Sequence, residues 1–236
     1  GGEDEIYGGT GNDKLYGGNG SDLLFGGQGD DYINGGKGFD TVSYFDDGGT
    51  TGIVADLKKG TVVDGFGTTD KLVSVESVQG SEFADKIAGN NADNWFRGEA
   101  GDDVLDGQGG NDVIWGGFGE DKLLGGKGND MLAGGHGNDV IDGGVGIDTA
   151  DYAQDGGWHG IAVNLGTGAG TDSWGYDDQL MNIENVTGTA FDDWIMGNQN
   201  ANQIAGGVGN DILAGGAGSD TFVFNFENGN DTINDF

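Results

Sequence analysis

The chain has 236 residues, of which 55 are glycine and none is proline or cysteine, and its formal net charge is −32. The glycines follow no three-residue period, which excludes a collagen helix, and the absence of cysteine excludes a disulfide framework. Only nine lysines and arginines are present, so we expect no nucleic-acid partner, because affinity for phosphate comes from these cations. Repulsion within so acidic a chain opposes compaction unless cations neutralise it.

A nine-residue unit fills residues 1–43, the first predicted repeat block. Its copies read GGEDEIY, GGTGNDKLY, GGNGSDLLF, GGQGDDYIN and GGKGFDTVS. A complete copy has glycine at positions one, two and four, aspartate at position six and an apolar residue at position eight. A disordered acidic solubiliser is the alternative, but its carboxylates would follow no fixed phase. The aspartates in phase are Asp4, Asp13, Asp22, Asp31 and Asp40.

Residues 44–79 lose the glycine pattern and carry two β-rich pieces, 53–57 and 72–78. Valine and isoleucine are too frequent here for a linker. Gly35 and Gly80 each open a unit, and the distance between them is a whole number of units, namely five. We therefore expect irregular coils of the same solenoid, with longer loops.

The second repeat block spans residues 80–152. Two degenerate units open it, and four gapless copies run from Gly116 to Tyr152: GGFGEDKLL, GGKGNDMLA, GGHGNDVID and GGVGIDTADY. The residues at position six in this block are Asp85, Asn94, Asp103, Asp112, Asp121, Asp130, Asp139 and Asp148.

The remaining chain divides into an irregular segment at 153–187, a third block at 188–224 and a tail at 225–236. The third block supplies Asp193, Asn202, Asp211 and Asp220 at position six. The tail holds a partial unit around Asp231, and we expect a truncated exit segment there, with both ends of the chain internal to a longer protein. No apolar run approaches the length of a membrane span, so we expect no membrane insertion.

A shift of twelve repeat units superimposes the chain on itself without a gap. Gly35 falls on Gly143, Ile53 on Ile161, and the deviant Asn94 on Asn202. This register indicates a tandem duplication of a larger module, in which the irregular segments are structural parts.

The spacing indicates an all-β chain built as a parallel solenoid. A six-residue glycine-rich turn followed by a three-residue strand reverses the chain, so that two units close one coil of eighteen residues. Strand alternation then points position eight inward and positions seven and nine outward. The resulting core is one residue deep for each strand, which is too thin to hold the fold by itself.

Turns stacked eighteen residues apart place carboxylates and turn carbonyls around one point, and Ca²⁺ prefers six to eight such oxygens. We expect two columns of sites, one at each edge, with roughly eight to twelve ions in all, and weak or absent sites at Asn94 and Asn202. The predicted carboxylate ligands are Asp13, Asp22, Asp31, Asp40, Asp85, Asp103, Asp112, Asp121, Asp130, Asp139, Asp148, Asp193, Asp211 and Asp220. The predicted carbonyl ligands are those of Gly9, Gly11, Gly18, Gly20, Gly27, Gly29, Gly107, Gly109, Gly117, Gly119, Gly126, Gly128, Gly135, Gly137, Gly144, Gly207 and Gly209.

The repeat resembles that of the RTX (repeats-in-toxin) family of secreted bacterial proteins, whose unit is G-G-x-G-x-D-x-U-x. The irregular segment from Ile183 to Asp193 and the terminal FVFNFENGNDTINDF are similar to stretches between and after RTX blocks. The resemblance implies a right-handed parallel β-roll that folds on Ca²⁺ outside the cell. It further implies a parent protein exported by type I secretion machinery. Lipases, proteases, epimerases, toxins and adhesins all carry such repeats, so the activity of the parent stays open.

Three other functions are weighed against a calcium module. We expect no enzyme, because neither His136 nor His159 has a serine or cysteine in a recognisable catalytic setting. Ice binding is disfavoured, because the outward positions form no threonine row. The main alternative is a carbohydrate-binding accessory module or adhesin segment, with a polysaccharide or cell-surface ligand; its support is Trp95, Trp115, Trp158, Trp174 and Trp194.

Overall fold

The computed structural model describes residues 1–224 and 229–235, and within them it holds strands and no helix. The strands in chain order are β1 (Glu5–Thr10), β2 (Lys14–Asn19), β3 (Leu23–Gln28), β4 (Tyr32–Lys37), β5 (Thr41–Ser43), β6 (Val54–Asp56), β7 (Thr61–Val63), β8 (Thr69–Val73), β9 (Ser77–Gln79), β10 (Lys86–Asn90), β11 (Trp95–Ala100), β12 (Val104–Gln108), β13 (Val113–Phe118), β14 (Lys122–Lys127), β15 (Met131–His136), β16 (Val140–Val145), β17 (Thr149–Asp151), β18 (Ala162–Asn164), β19 (Ala169–Thr171), β20 (Asp177–Met181), β21 (Asn185–Thr187), β22 (Trp194–Met196), β23 (Gln203–Ala205), β24 (Ile212–Ala214), β25 (Thr221–Val223) and β26 (Thr232–Ile233).

Successive units alternate between two sheets, one of 11 strands and one of 15. Within the repeat blocks each strand pairs in parallel with the strand one coil later. Glu5 faces Leu23, and Leu123 faces Ile141, so paired residues are eighteen apart. The predicted parallel β-roll with two nine-residue units per coil is confirmed.

The core is a single column of position-eight side chains between the two sheets. From Leu15 to Leu213, every position-eight side chain in the repeat units exposes 3% of its surface or less. Burying each such aliphatic or aromatic side chain contributes roughly 1.5–3 kcal/mol. The column consists of Leu15, Leu24, Ile33, Val42, Ile87, Phe96, Leu105, Ile114, Leu123, Leu132, Ile141, Ala150, Ile195, Ile204 and Leu213.

The first irregular segment stays within both sheets, but it is not purely parallel as we expected. In the 15-stranded sheet, β8, β7 and β6 form an antiparallel meander inserted between β4 and β10. In the 11-stranded sheet, β5 passes directly to β9, with Thr41 facing Ser77. This coil is therefore twice as long as a regular one, and a meander absorbs the extra length without breaking the parallel stack on either side.

The second irregular segment repeats this arrangement twelve units later in the chain. Val54 pairs with Val63 in β6 and β7, and Ala162 pairs with Thr171 in β18 and β19. The duplication read from the sequence is thus also a duplication of strand order and register.

Of the predicted tail at 225–236, residues 225–228 and 236 lie outside the described residues. The described part adds β26 to the 15-stranded sheet beside β24. In the portion of the chain that the structure covers, no helix has the length and apolarity that a membrane crossing requires.

Candidate metal centres

The position-six aspartates lie in two ladders, one along each edge of the roll. Within the repeat blocks a backbone N–H donates to the Oδ1 atom of the aspartate one coil later. At the irregular segments the acceptor is Glu76 or Glu184 Oε2, 36 residues later, or Asp70 or Asp178 Oδ1, 39 residues later. The N–H of Asp103 lies 2.8 Å from Asp121 Oδ1, and that of Asp121 lies 2.8 Å from Asp139 Oδ1. One ladder runs through Asp4, Asp22, Asp40 and Glu76, then Asn94, Asp112, Asp130, Asp148 and Glu184, then Asn202 and Asp220. The other runs through Asp13, Asp31 and Asp70, then Asp85, Asp103, Asp121, Asp139 and Asp178, then Asp193, Asp211 and Asp231.

The second carboxylate oxygen of most of these aspartates is buried and has no hydrogen-bond partner. An ionised carboxylate shielded from water is costly unless a positive charge or a donor compensates it. The atoms concerned therefore require a cation or a proton. They are the Oδ2 atoms of Asp13, Asp22, Asp31, Asp40, Asp103, Asp112, Asp121, Asp130, Asp139, Asp148 and Asp211.

The first glycine of most units leaves room for a backbone oxygen to approach this atom. A methyl group placed on Gly107 would lie within 3.0 Å of both Asp112 Oδ2 and the carbonyl oxygen of Gly125. The same holds at Gly116, which faces Asp121 Oδ2 and the carbonyl oxygen of Gly134. Carboxylate and carbonyl oxygens thus converge in a cradle that a side chain would fill, and this donor chemistry fits Ca²⁺.

The carbonyls of the second and fourth glycines, which we predicted as ligands, lie against the next coil. A methyl group on Gly135 or Gly137, where φ is 97° and 145°, would collide with the carbonyl oxygen of Gly117 or Gly119. The carbonyls of Gly9, Gly11, Gly18, Gly20, Gly126, Gly128 and Gly209 are placed in the same way. They remain predicted ligands. The carbonyls that lie beside Oδ2 belong to glycines at position one, and the predicted ligands include only one such glycine, Gly107. The Gly107 carbonyl lies beside Asn94, not beside an aspartate.

The side chains alone do not enclose a metal ion. Within residues 1–224 and 229–235, no three acidic or histidine side chains converge on one point. A metal site in these ladders would therefore need backbone oxygens in addition to carboxylates, and the predicted ligand set includes both.

Burial shifts the titration of the ladder carboxylates when no cation is present. Desolvation raises the pKa of Asp103 to about 8, and the neighbouring charges of Asp121 and Asp85 add to the shift. Desolvation likewise raises the pKa of Asp112 and Asp121 to about 7, and that of Asp139 and Asp148 to about 6. The folded chain without calcium thus binds protons that the unfolded chain releases near pH 4.

This difference between the folded-state and unfolded-state pKa values predicts that protonation partly replaces calcium in stabilising the fold. Because the folded-state pKa values exceed the unfolded ones, folding is favoured as pH falls from about 8 towards 5, and this contribution is lost as pH rises again. In a chelator, we expect the far-ultraviolet circular dichroism signal of β-structure to increase on acidification over this range. A circular dichroism signal in chelator that does not change with pH would contradict the raised pKa values of the ladder aspartates.

At the borders of the irregular segments, protein donors bind carboxylate oxygens of the kind that have no partner elsewhere in the ladders. Ser81 donates its N–H to Asp85 Oδ2 at 2.6 Å and its hydroxyl to Oδ1 at 2.8 Å, and the N–H of Ile53 reaches Oδ1 at 2.7 Å. Thr189 and Ile161 surround Asp193 with the same three bonds. These two predicted ligands thus differ from the others in having both oxygens satisfied.

At each irregular segment a buried tyrosine donates a hydrogen bond to the aspartate at which one ladder is interrupted. The Tyr44 hydroxyl donates to Asp70 Oδ2 at 2.9 Å, and the Tyr152 hydroxyl donates to Asp178 Oδ2 at 3.0 Å. Each tyrosine exposes 2% of its surface. Sequence reasoning missed Asp70, Asp178, Glu76 and Glu184 as ladder members, although the twelve-unit shift places each acid on an identical counterpart.

Replacing Tyr152 by phenylalanine tests this arrangement. The substitution removes the hydroxyl and leaves Asp178 Oδ2 buried without its donor, which costs about 1–3 kcal/mol. We expect denaturant unfolding in saturating calcium to show this loss. Tyr16→Phe is the control, because Tyr16 is 59% exposed. Equal stability of the two variants would show that the buried hydroxyl contributes nothing.

The two asparagines at position six also supply a donor. Asn94 Nδ2 donates to the Glu76 carbonyl at 3.2 Å, and Asn202 Nδ2 donates to the Glu184 carbonyl at 2.7 Å. An amide is neutral and carries both a donor and an acceptor, so it needs no cation. This placement supports the prediction of weak or absent sites there.

The repeats that carry these aspartates match a known protein family. The model of the RTX calcium-binding nonapeptide repeat matches residues 7–42, 79–114, 88–123, 115–150 and 187–222. These matches cover more than half of the chain and leave out the two irregular segments. No curated protein matches the chain. With its repeats stacked into a parallel roll and their aspartates aligned in ladders, the chain belongs to the RTX calcium-binding nonapeptide repeat family.

Proposed function

We propose that this chain is a calcium-gated folding module of a larger secreted bacterial protein. In this role it stays largely unfolded at the low calcium level of the cytosol and folds after type I export. The folded roll then assists secretion or acts as a structural spacer. The observation that carries the proposal is the row of buried Oδ2 atoms without partners. A chain with so many desolvated carboxylates and a net charge of −32 needs bound cations to remain compact.

The two carboxylate oxygens of a ladder aspartate have different roles in a site. Oδ1 accepts a backbone N–H from the coil before it, which fixes the carboxylate, and Oδ2 is left facing the glycine cradle. When bound, Ca²⁺ supplies the positive charge that offsets repulsion between carboxylates one coil apart. Because stacked turns contribute oxygens to the same site, each site holds two coils together, and binding energy becomes folding energy.

The distribution of unpartnered oxygens supports three calcium blocks. Four lie in the first block, six in the second, and Asp211 lies in the third. This agrees with a total of roughly eight to twelve ions. At the irregular segments, Tyr44, Ser81, Tyr152 and Thr189 provide donors instead, so the ladder that contains Asp85 and Asp193 is interrupted there without cations.

The same considerations support a structural role without catalysis. Most of the buried acids belong to the ladders, and the repeat is a calcium-binding structural unit. The partners that we propose are therefore Ca²⁺ and, for the whole parent protein, the secretion machinery.

A calcium titration of folding tests the proposal. Extracellular calcium modules typically have Kd values of about 10⁻⁴–10⁻³ M, and we expect the midpoint of the circular dichroism transition in this range. A midpoint in the submicromolar range would mean that the chain folds inside the cell, and it would contradict gating by export.

A further inference from the structure

A groove of about 250 Å³ opens between the 11-stranded sheet and the second irregular segment. Trp115 and Phe118 in β13 and His136 in β15 line its sheet side, and Trp174 of the second irregular segment, which packs against His136, also lines the groove. The Trp174 ring lies 5.1 Å from the His136 ring and 6.5 Å from the Phe118 ring, between centroids. The backbone of Gly117 and Gly135 also lines the groove, which leaves room for a ligand to approach the sheet.

The loop side of the groove is held in place by its own contacts. Trp174 Nε1 donates to the backbone carbonyl of Asp155 at 2.8 Å. The Trp158 ring packs edge-on against the Trp174 ring, with centroids 4.5 Å apart. The ring plane of Trp174 is therefore fixed before any ligand arrives, which lowers the entropic cost of binding.

Two buried polar atoms of groove residues have no hydrogen-bond partner: Trp115 Nε1, a donor, and Asp155 Oδ1, an acceptor. Buried polar atoms in proteins are nearly always paired. Burial raises the pKa of Asp155 to about 8, with Asp172 adding to the shift, so a donor at this carboxylate would be favourable. The residues that line the groove thus include aromatic rings together with one buried donor and one buried acceptor that lack partners.

The first module carries the same groove. Tyr7, Phe66 and Asp47 line it, at the positions that the twelve-unit shift superimposes on Trp115, Trp174 and Asp155, and its volume is about 700 Å³. Asp47 Oδ2 is again buried without a partner. Two aromatic walls and an aspartate with a free oxygen therefore occur in both copies of the duplicated module.

We propose that the groove beside Asp155 binds a neutral hexopyranose unit of a polysaccharide, and that the groove beside Asp47 is its second copy. The C–H face of a pyranose packs on an aromatic ring, while its hydroxyls donate to a carboxylate and accept from an indole N–H. An apolar peptide side chain would leave both polar atoms unpaired. A polyanion would be repelled by the net charge of −32.

This inference goes beyond the proposed function and depends on it only because the folded roll carries the groove. Affinity gel electrophoresis of the whole chain in millimolar CaCl₂ tests it, with dextran, a mixed-linkage β-glucan, a galactomannan and a galactan as neutral probes and polygalacturonate as the anionic probe. We expect at least one neutral polysaccharide to retard the chain. Because two grooves are proposed, the variants change both: Phe66→Ala with Trp174→Ala, and Asp47→Asn with Asp155→Asn, should each weaken that retardation about tenfold.

Trp194→Ala is the matched control, because Trp194 is 39% exposed and lines neither groove. It should leave retardation unchanged, and circular dichroism should show every variant folded. A folded chain that no neutral probe retards, that only polygalacturonate retards, or whose retardation survives both double variants would overturn the groove assignment alone. A wild-type chain that stays unfolded in calcium would overturn the proposed function as well.

Discussion

Gly107→Ala is expected to destabilise the folded chain by about 4–6 kcal/mol in saturating calcium and to remove an ion from the second block. The new methyl group would lie 2.7 Å from the carbonyl oxygen of Gly125 and would also press on Asp112 Oδ2. Overpacking against backbone costs about 1–3 kcal/mol. Loss of an ion that was present at about 100 times its Kd removes about 2.7 kcal/mol more.

Gly109→Ala is the control in the same turn. A methyl group there would lie 3.6 Å from its nearest neighbour, the Lys127 carbonyl oxygen, which is an ordinary contact. We expect a change of about 0.5 kcal/mol or less, or a slight gain from the less flexible unfolded chain. Equal losses for both variants in denaturant unfolding would contradict the cradle.

Asp121→Asn is expected to lower the number of bound calcium ions by one or two and to keep the fold. The amide can still accept the N–H of Asp103, and its NH₂ group can donate to a carbonyl, as Asn94 does. The charge and the free oxygen are lost, which removes about 2.7 kcal/mol for each ion that was present at about 100 times its Kd. Native mass spectrometry in calcium counts the ions directly.

The comparison variant is Asp193→Asn. Both oxygens of Asp193 already accept hydrogen bonds from Thr189 and Ile161. Its substitution should therefore leave the ion count unchanged, although it disturbs those bonds. If Asp193→Asn removed as many ions as Asp121→Asn, unpartnered oxygens would not mark the calcium sites.

Much of the fold follows from the sequence because a single period controls both burial and pairing. Leu123 and Ile141 occupy position eight of units one coil apart, and they face each other in the buried column. The shift of twelve units also places the irregular segments correctly within the two sheets. In these parts local propensity, spacing and packing all agree.

The direction of the inserted strands could not be predicted in the same way. The alternation in β7 gives it one buried face, but a parallel and an antiparallel strand share that pattern. Only the pairing of Val54 with Val63 distinguishes them, and this depends on the turn between them.

Parts of the site escaped prediction because they depend on contacts between distant residues. Tyr44 reaches Asp70 across 26 residues, and Trp174 approaches Asp155 across 19. Which carbonyl lies beside Oδ2 depends on backbone angles. Each repeat contains several glycines, and the sequence does not distinguish which of their carbonyls takes this place. The repeat identified the aspartates, but it could not show which of them have protein donors.

The dependence of folding on calcium tests the central claim most directly. Far-ultraviolet circular dichroism of the chain should be compared at neutral pH in EGTA, in millimolar MgCl₂ and in millimolar CaCl₂. We predict a β-rich spectrum in calcium and a largely unfolded one in EGTA and in magnesium, which demands a tighter octahedral site. The same β-rich spectrum in EGTA as in calcium would contradict a fold that needs cations along its aspartate ladders.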